Sequence, residues 1–184
     1  FGSHRALWEA ADAAIRSGAT GQIGATAGQA EVIGAFWKQA VTAPDQLRQR
    51  LAFAWSQIVV ISGQDSAIND QPRAMTAWMD LLGEQGLGSY RTLLESVSRH
   101  PLMGRYLSHL RNQRADTRTG RVPDENFARE VMQLFSIGVV RLDESGRPLA
   151  DATYGPADIA GLARVFTGWS WACPDWPDNN CFAN

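Results

Sequence analysis

Glu125, Arg129 and Glu130 are the residues whose types and spacing could do chemistry. Two carboxylates around a guanidinium can relay a proton or bind a metal, with the arginine setting their ionisation or gripping an anion. Glu125 and Arg129 stand four apart, as do Asn126 and Glu130, so on a helix each pair meets on the surface. With Gln133 they make a narrow polar strip. The structural alternative is a buried network in which Arg129 ties Glu125 and nearby backbone together beside the core. Energy separates the two: removing Arg129 would cost about 3–5 kcal/mol from a buried network and about 0–1 kcal/mol from an open site. The flanking apolar residues favour the buried network.

A second group lies at the end of the chain. Trp169, Trp171 and Trp176 cluster in an irregular tail. Flat apolar rings with polar edges suit a sugar or a peptide, and they equally suit packing against further chain. Cys173 and Cys181 bracket a Pro/Asp/Asn-rich loop and are the two cysteines of the sequence. A disulfide closing so short a loop would contribute about 2.5–3 kcal/mol and would favour an exported protein. Two free thiols are the alternative. No histidine or further cysteine lies near enough for zinc, and the acidic tail lacks EF-hand spacing for calcium, so no metal or cofactor is expected.

The histidines, His4, His100 and His109, include no i, i+4 pair, and His100 reads as a helix-end residue bonding the last carbonyls. No nucleophile elbow, phosphate-cradling glycine loop or serine-centred triad can be assembled from spacing.

The elements that must position these residues are helices. The key one runs from Pro123 to Gly138, capped by Asp124 and stopped by Gly138, with Phe127, Val131 and Leu134 on one apolar stripe and Ala128, Met132 and Phe135 on the next. Such a helix is expected to be central. Before it, helical spacing predicts helices from Ser3 to about Ser17, Gln29 to Thr42, Pro44 to about Ser62, Asp70 to Gly86, Ser89 to His100, and Pro101 to Leu110. The inward residues include Val32, Ile33, Phe36, Trp37, Leu47 and Trp55. Trp8, Trp37, Trp55 and Trp78 occupy core positions. Residues 112–122 read as an exposed loop. A β-hairpin is expected at about 139–150, and a last helix from about Gly155 to Gly168. The fold class is therefore all-α: one helical domain over 1–168 with a small hairpin insert, and an irregular tail over 169–184.

At 184 residues the chain can bury roughly 70% of its unfolded surface. A net charge of −2 gives no surplus to neutralise phosphates, so nucleic acid is not an expected partner. No apolar run approaches bilayer length.

Pro123-Asp124-Glu125-Asn126-Phe127-Ala128-Arg129-Glu130, with Leu134 and Gly138, resembles the signature of the bacterial domain-of-unknown-function 1800 family. Tyr154, Asp158 and Ala163-Arg164-Val165-Phe166-Thr167-Gly168-Trp169 resemble its second signature. Gln46 to Arg50, Ala54 to Gln57, and His100 to Met103 fit it as well. The resemblance implies a bacterial, exported protein with no established activity, and a sulfatase-like protein encoded nearby as the first partner to try. It also implies that this chain is the N-terminal part of a longer protein. Relatives often carry histidine at the position of Phe135, which weakens the catalytic reading. The leading expectation is a non-catalytic scaffold or partner domain at the cell envelope. The alternative is a hydrolase-like enzyme acting on an envelope or extracellular polymer through Glu125, Arg129 and Glu130.

Overall fold

The computed structural model describes residues 2–19, 21 and 25–172. Among these, the protein is mainly helical with a small antiparallel β-hairpin. Its eight helices are α1 (His4–Arg16), α2 (Gln29–Thr42), α3 (Gln46–Ser56), α4 (Pro72–Gln85), α5 (Tyr90–Arg99), α6 (Pro101–Tyr106), α7 (Asn126–Gln133) and α8 (Pro156–Val165). Strands β1 (Val140–Leu142) and β2 (Pro148–Ala152) lie between α7 and α8. The chain forms two compact units, Phe1–Tyr106 and Leu107–Asn184.

In the first unit α4 is the hub, packing on α1, α2, α3, α5 and α6. Its sequence explains the role: Pro72 sits at N1, and Thr76, Trp78, Leu82 and Gly83 are buried along its length. Gly86 ends it under the Trp55 indole, whose Nε1 donates to the Gly86 carbonyl at 3.1 Å. A Cβ at Gly86 would lie 2.6 Å from the Leu82 carbonyl oxygen and 2.7 Å from the Trp55 ring, so close approach requires glycine there. The caps of α1 follow the sequence reading: Ser3 accepts from the Ala6 N–H at 3.1 Å, and Gly18 is left-handed beyond the helix.

Three helices are shorter than periodicity suggests. α3 stops at Ser56, not Ser62, because the Gln57 N–H turns back to Ala54 and tightens the last turn. The following Ile58-Val59-Val60-Ile61 is irregular, and Val59 is a fully buried plug. α6 ends at Tyr106 rather than Leu110, where Ser108 and Arg111 both adopt positive φ (58° and 63°). α7 spans only Asn126–Gln133, not the whole stretch to Gly138. The Ile137 and Gly138 N–H groups reach back to the Met132 carbonyl in wide turns, and Gly138, at φ 71°, supplies the expected left-handed stop.

Burial differs from the expected pattern on α2. Ala35 and Gln39 face the core, while Ile33 and Trp37 are 56% and 61% exposed. Leu47 is likewise exposed. Trp8 and Trp78 are core residues as expected, whereas Trp37 is not.

In the second unit α7 packs on α8. The core is aromatic: the His109 ring stacks on Phe127 at 3.9 Å between centroids, and Phe127 meets Phe166 edge-on at 4.7 Å. Residues 112–122 are not wholly an exposed loop, for Asn112 is buried and hydrogen-bonded to the start of α7.

Candidate functional site

Asp124 and Asn112 set the position of α7. The Asp124 carboxylate accepts from the Asn126 N–H at 2.8 Å, an Asx turn that opens the helix. Asn112 brackets the Asp124 peptide, donating to its carbonyl at 2.9 Å and accepting from its N–H at 2.8 Å.

On that helix the three candidate charges separate. Arg129 reaches Glu125 with Nη2–Oε2 at 3.4 Å, and the two side chains are 46% and 41% exposed. This is a solvated i, i+4 ion pair, so the expected buried network around Arg129 is not what the structure shows. Water screens both charges, and α7 turns this edge outward. Glu130 behaves differently: its Oε2 is buried and makes no hydrogen bond among the described residues. Five residues turn a helix by about 140° beyond a full circle, which takes Glu125 and Glu130 to different sides. The two carboxylates therefore do not converge as a general acid/base pair would require. Phe127, Ala128 and Phe135 form the buried stripe, while Leu134 is 55% exposed.

Trp169 is partly buried, with its ring edge-on to Phe166 at 5.8 Å and to His109 at 6.3 Å. Its carbonyl accepts from the Arg111 N–H at 2.7 Å. Trp169 thus continues the aromatic core that carries α7, rather than standing free of it. Trp171 is also partly buried. Trp176, Cys173 and Cys181, with the expected disulfide, lie outside the described residues.

The His100 backbone N–H donates to the Val97 carbonyl at 3.2 Å, but its side chain does not bond the last carbonyls of α5. Its Nδ1 accepts from the Leu102 N–H at 3.3 Å, capping α6, and its ring lies edge-on to Trp78 at 5.0 Å. Burial depresses its pKa to about 4, so it is neutral at physiological pH.

A constellation that spacing could not reveal lies in the first unit. Ser3, His4 and Asp80 meet: His4 Nδ1 is 2.9 Å from Asp80 Oδ1, and Ser3 Oγ donates to Asp80 Oδ2 at 2.6 Å. The His4 and Arg5 N–H groups also donate to this carboxylate, at 2.7 and 3.1 Å. Burial alone would raise the Asp80 pKa, but the hydrogen bonds from His4, Ser3 and the two backbone groups outweigh it and hold the carboxyl below its ordinary value. The Asp80 carboxylate accepts from His4 Nδ1–H, which fixes the orientation of the ring and leaves Nε2 on its far side. The set contains the residue types of a serine triad in the wrong order, because the Ser3 hydroxyl bonds the carboxylate and not the imidazole. Ser3 is a cap and not an activated nucleophile. The sequence did hold one signal, a lone acid in the apolar run Met79-Asp80-Leu81-Leu82. Its partner 76 residues away could not be read.

Two adjoining cavities lie in the same unit, and His4 lines the first of them. The first, about 430 Å³, is lined by His4, Phe36, Trp37, Ala40, Gln49, Arg50 and Phe53. The second, about 390 Å³, runs between α2 and the segment after α3, and includes Ile33, Val60, Ile61 and Met79. Phe36 and Trp37 line both. Among the described residues, no group of three or more His, Cys, Asp or Glu side chains could hold a metal. No described helix is long and apolar enough to cross a membrane.

A family model described as "Protein of unknown function (DUF1800)" matches residues 5–183. The chain belongs to this family. The DUF1800 match takes in the α7 strip and every residue lining the first cavity except His4. No curated protein and no solved structure matches the chain significantly.

Proposed function

We propose that this DUF1800 chain is a non-catalytic docking domain of an exported protein, acting as a scaffold or partner at the cell envelope. The apolar outer face of α2 carries this reading. Ile33, Trp37 and Val41, spaced four apart, are 56%, 61% and 73% exposed, so they form one ridge about 12 Å long on the solvent side of the helix. Exposed Leu47 and Phe53 on α3 add to the apolar surface of this unit, and the 390 Å³ groove offers a seat for an apolar element of a protein partner. Divergence of Glu125 and Glu130 weighs against the alternative, a hydrolase-like enzyme using the α7 strip.

The first partner to test is a sulfatase-like protein encoded nearby. Titration calorimetry of that protein against the chain should show binding that Trp37→Glu and Ile33→Glu weaken together. Absence of binding removes that partner; binding untouched by both substitutions removes the α2 face. Export has its own test. Mass spectrometry without reductant on protein from its native compartment should find Cys173 bonded to Cys181, and two freely alkylated thiols would take away that support.

A further inference from the structure

The 430 Å³ cavity combines features that a protein-docking ridge does not need. Its volume lies in the range of small-molecule sites, which are mostly apolar with a few polar groups that fix orientation. Three of its walls are aromatic: Phe36 meets Trp37 edge-on at 5.3 Å and Phe53 at 5.8 Å. The polar groups are few and unequal in their commitments. Gln49 Nε2 is spent on Asp45 at 3.3 Å, and Asp45 also faces Arg48 at 3.6 Å. Arg48 in turn donates to the Gly83 carbonyl at 2.7 Å. Arg50, one residue beyond Gln49, makes no hydrogen bond or ion pair with any described residue, yet it lines the cavity. His4 is 3% exposed and anchored through Nδ1 to Asp80, so its ring is fixed, and its Nε2 makes no hydrogen bond with any described residue.

We propose that this cavity binds a small monocarboxylic acid with an apolar body, its carboxylate on the Arg50 guanidinium and its body against Phe36, Trp37 and Phe53. The guanidinium fork matches a carboxylate with two parallel hydrogen bonds, and the aromatic walls take the apolar body. The only carboxylate on α3's own turn, Asp45, is already engaged, so no described acid competes for Arg50. His4 Nε2, held beside the aromatic walls, suits a hydroxyl of the ligand. The inference does not rest on the docking domain reading, since a free acid needs no protein partner.

Titration calorimetry or ligand-observed NMR tests it with three probes: N-acetylphenylalanine, its carboxamide, and octanoate. The two acids should bind and the carboxamide should bind at least tenfold more weakly. Arg50→Gln should lose that same factor for the acids while leaving the carboxamide unchanged, and Arg50→Lys should recover part of it. Trp37→Ala should weaken both acids. Both positions are exposed, so the variants keep the fold, which circular dichroism verifies. A preference for N-acetylphenylalanine would point to a polypeptide C-terminus as the source of the acid. A preference for octanoate would point to a free acyl acid. Equal binding of acid and carboxamide, or no binding of either acid at millimolar concentration, overturns the proposal. So does acid binding that Arg50→Gln leaves intact.

Discussion

Asn112 and Asp124 bond each other twice, the amide of one bracketing the peptide of the other at 2.8 and 2.9 Å. The Asn112 carbonyl also accepts from the Gly168 N–H at 2.8 Å, just past α8. One buried side chain and its backbone thus tie the start of α7 to the end of α8. Asn112→Ala should destabilise the protein by about 1–3 kcal/mol, because the two part-buried hydrogen bonds to the Asp124 N–H and carbonyl are lost. Denaturant titration measures it. A loss below about 0.5 kcal/mol would mean that water replaces the amide without penalty.

Arg129→Ala should leave stability within about 0.5 kcal/mol of the parent, the range of exposed i, i+4 pairs. The expectation from sequence was a loss of several kcal/mol. The exposure of both partners reverses it. A loss above about 2 kcal/mol in the same titration would restore the buried network.

His100 should make stability fall as pH drops from about 6.5 to about 4. Below its ordinary value the unfolded chain takes up a proton there, while the folded ring stays neutral until about 4. The unfolded state therefore gains, by about 3 kcal/mol over the whole window. Urea melts at pH 7, 5.5 and 4.5 should show this slope, and His100→Gln should flatten it. Asp80 acts lower. Its folded pKa is depressed, so its contribution is complete above its ordinary 3.8 and is lost as pH falls through the folded value. An unchanged slope in His100→Gln would assign the effect elsewhere.

Trp78→Ala should cost about 3–5 kcal/mol, the range for emptying a large aromatic site. Trp78 is 2% exposed at the middle of the hub helix α4. Its Nε1 is buried without a hydrogen-bond partner among the described residues, so Trp78→Phe should cost much less, since it removes that unmet donor together with part of the ring. Thermal melts of the two variants side by side decide it. Equal losses would show that the indole, and not its volume, is what the site needs.

Where local chemistry decides, the sequence was legible. Ser3 and Gly18 mark helix ends by cap and torsion, and the hairpin follows from its turn residues, whereas the start expected at Asp70 gives way to Pro72 at N1 of α4. Facing was harder on α2. Val32, Ile33, Phe36, Trp37, Ala40 and Val41 make that helix apolar on most sides, so periodicity announces a helix without saying which stripe is buried. α7 shows the same ambiguity, and there it moved Arg129 from an imagined interior to the solvent. The His4–Asp80 contact was beyond reach for another reason. It joins residues 76 positions apart, and only the packing of α1 on α4 brings them together.

Every residue of β1 and β2 is exposed, so neither face of the hairpin is recorded in a core. Its turn is held internally by Asp143, whose Oδ1 accepts from Ser145 and Arg147, and its base by the Thr153 hydroxyl on the Gly138 carbonyl. Selection on packing therefore has no grip on its length. Its residues can change without disturbing the packing of α7 on α8. For the experimenter, the same freedom makes its tip the place to splice an epitope or a fluorophore into the second unit without touching the Asn112 bridge.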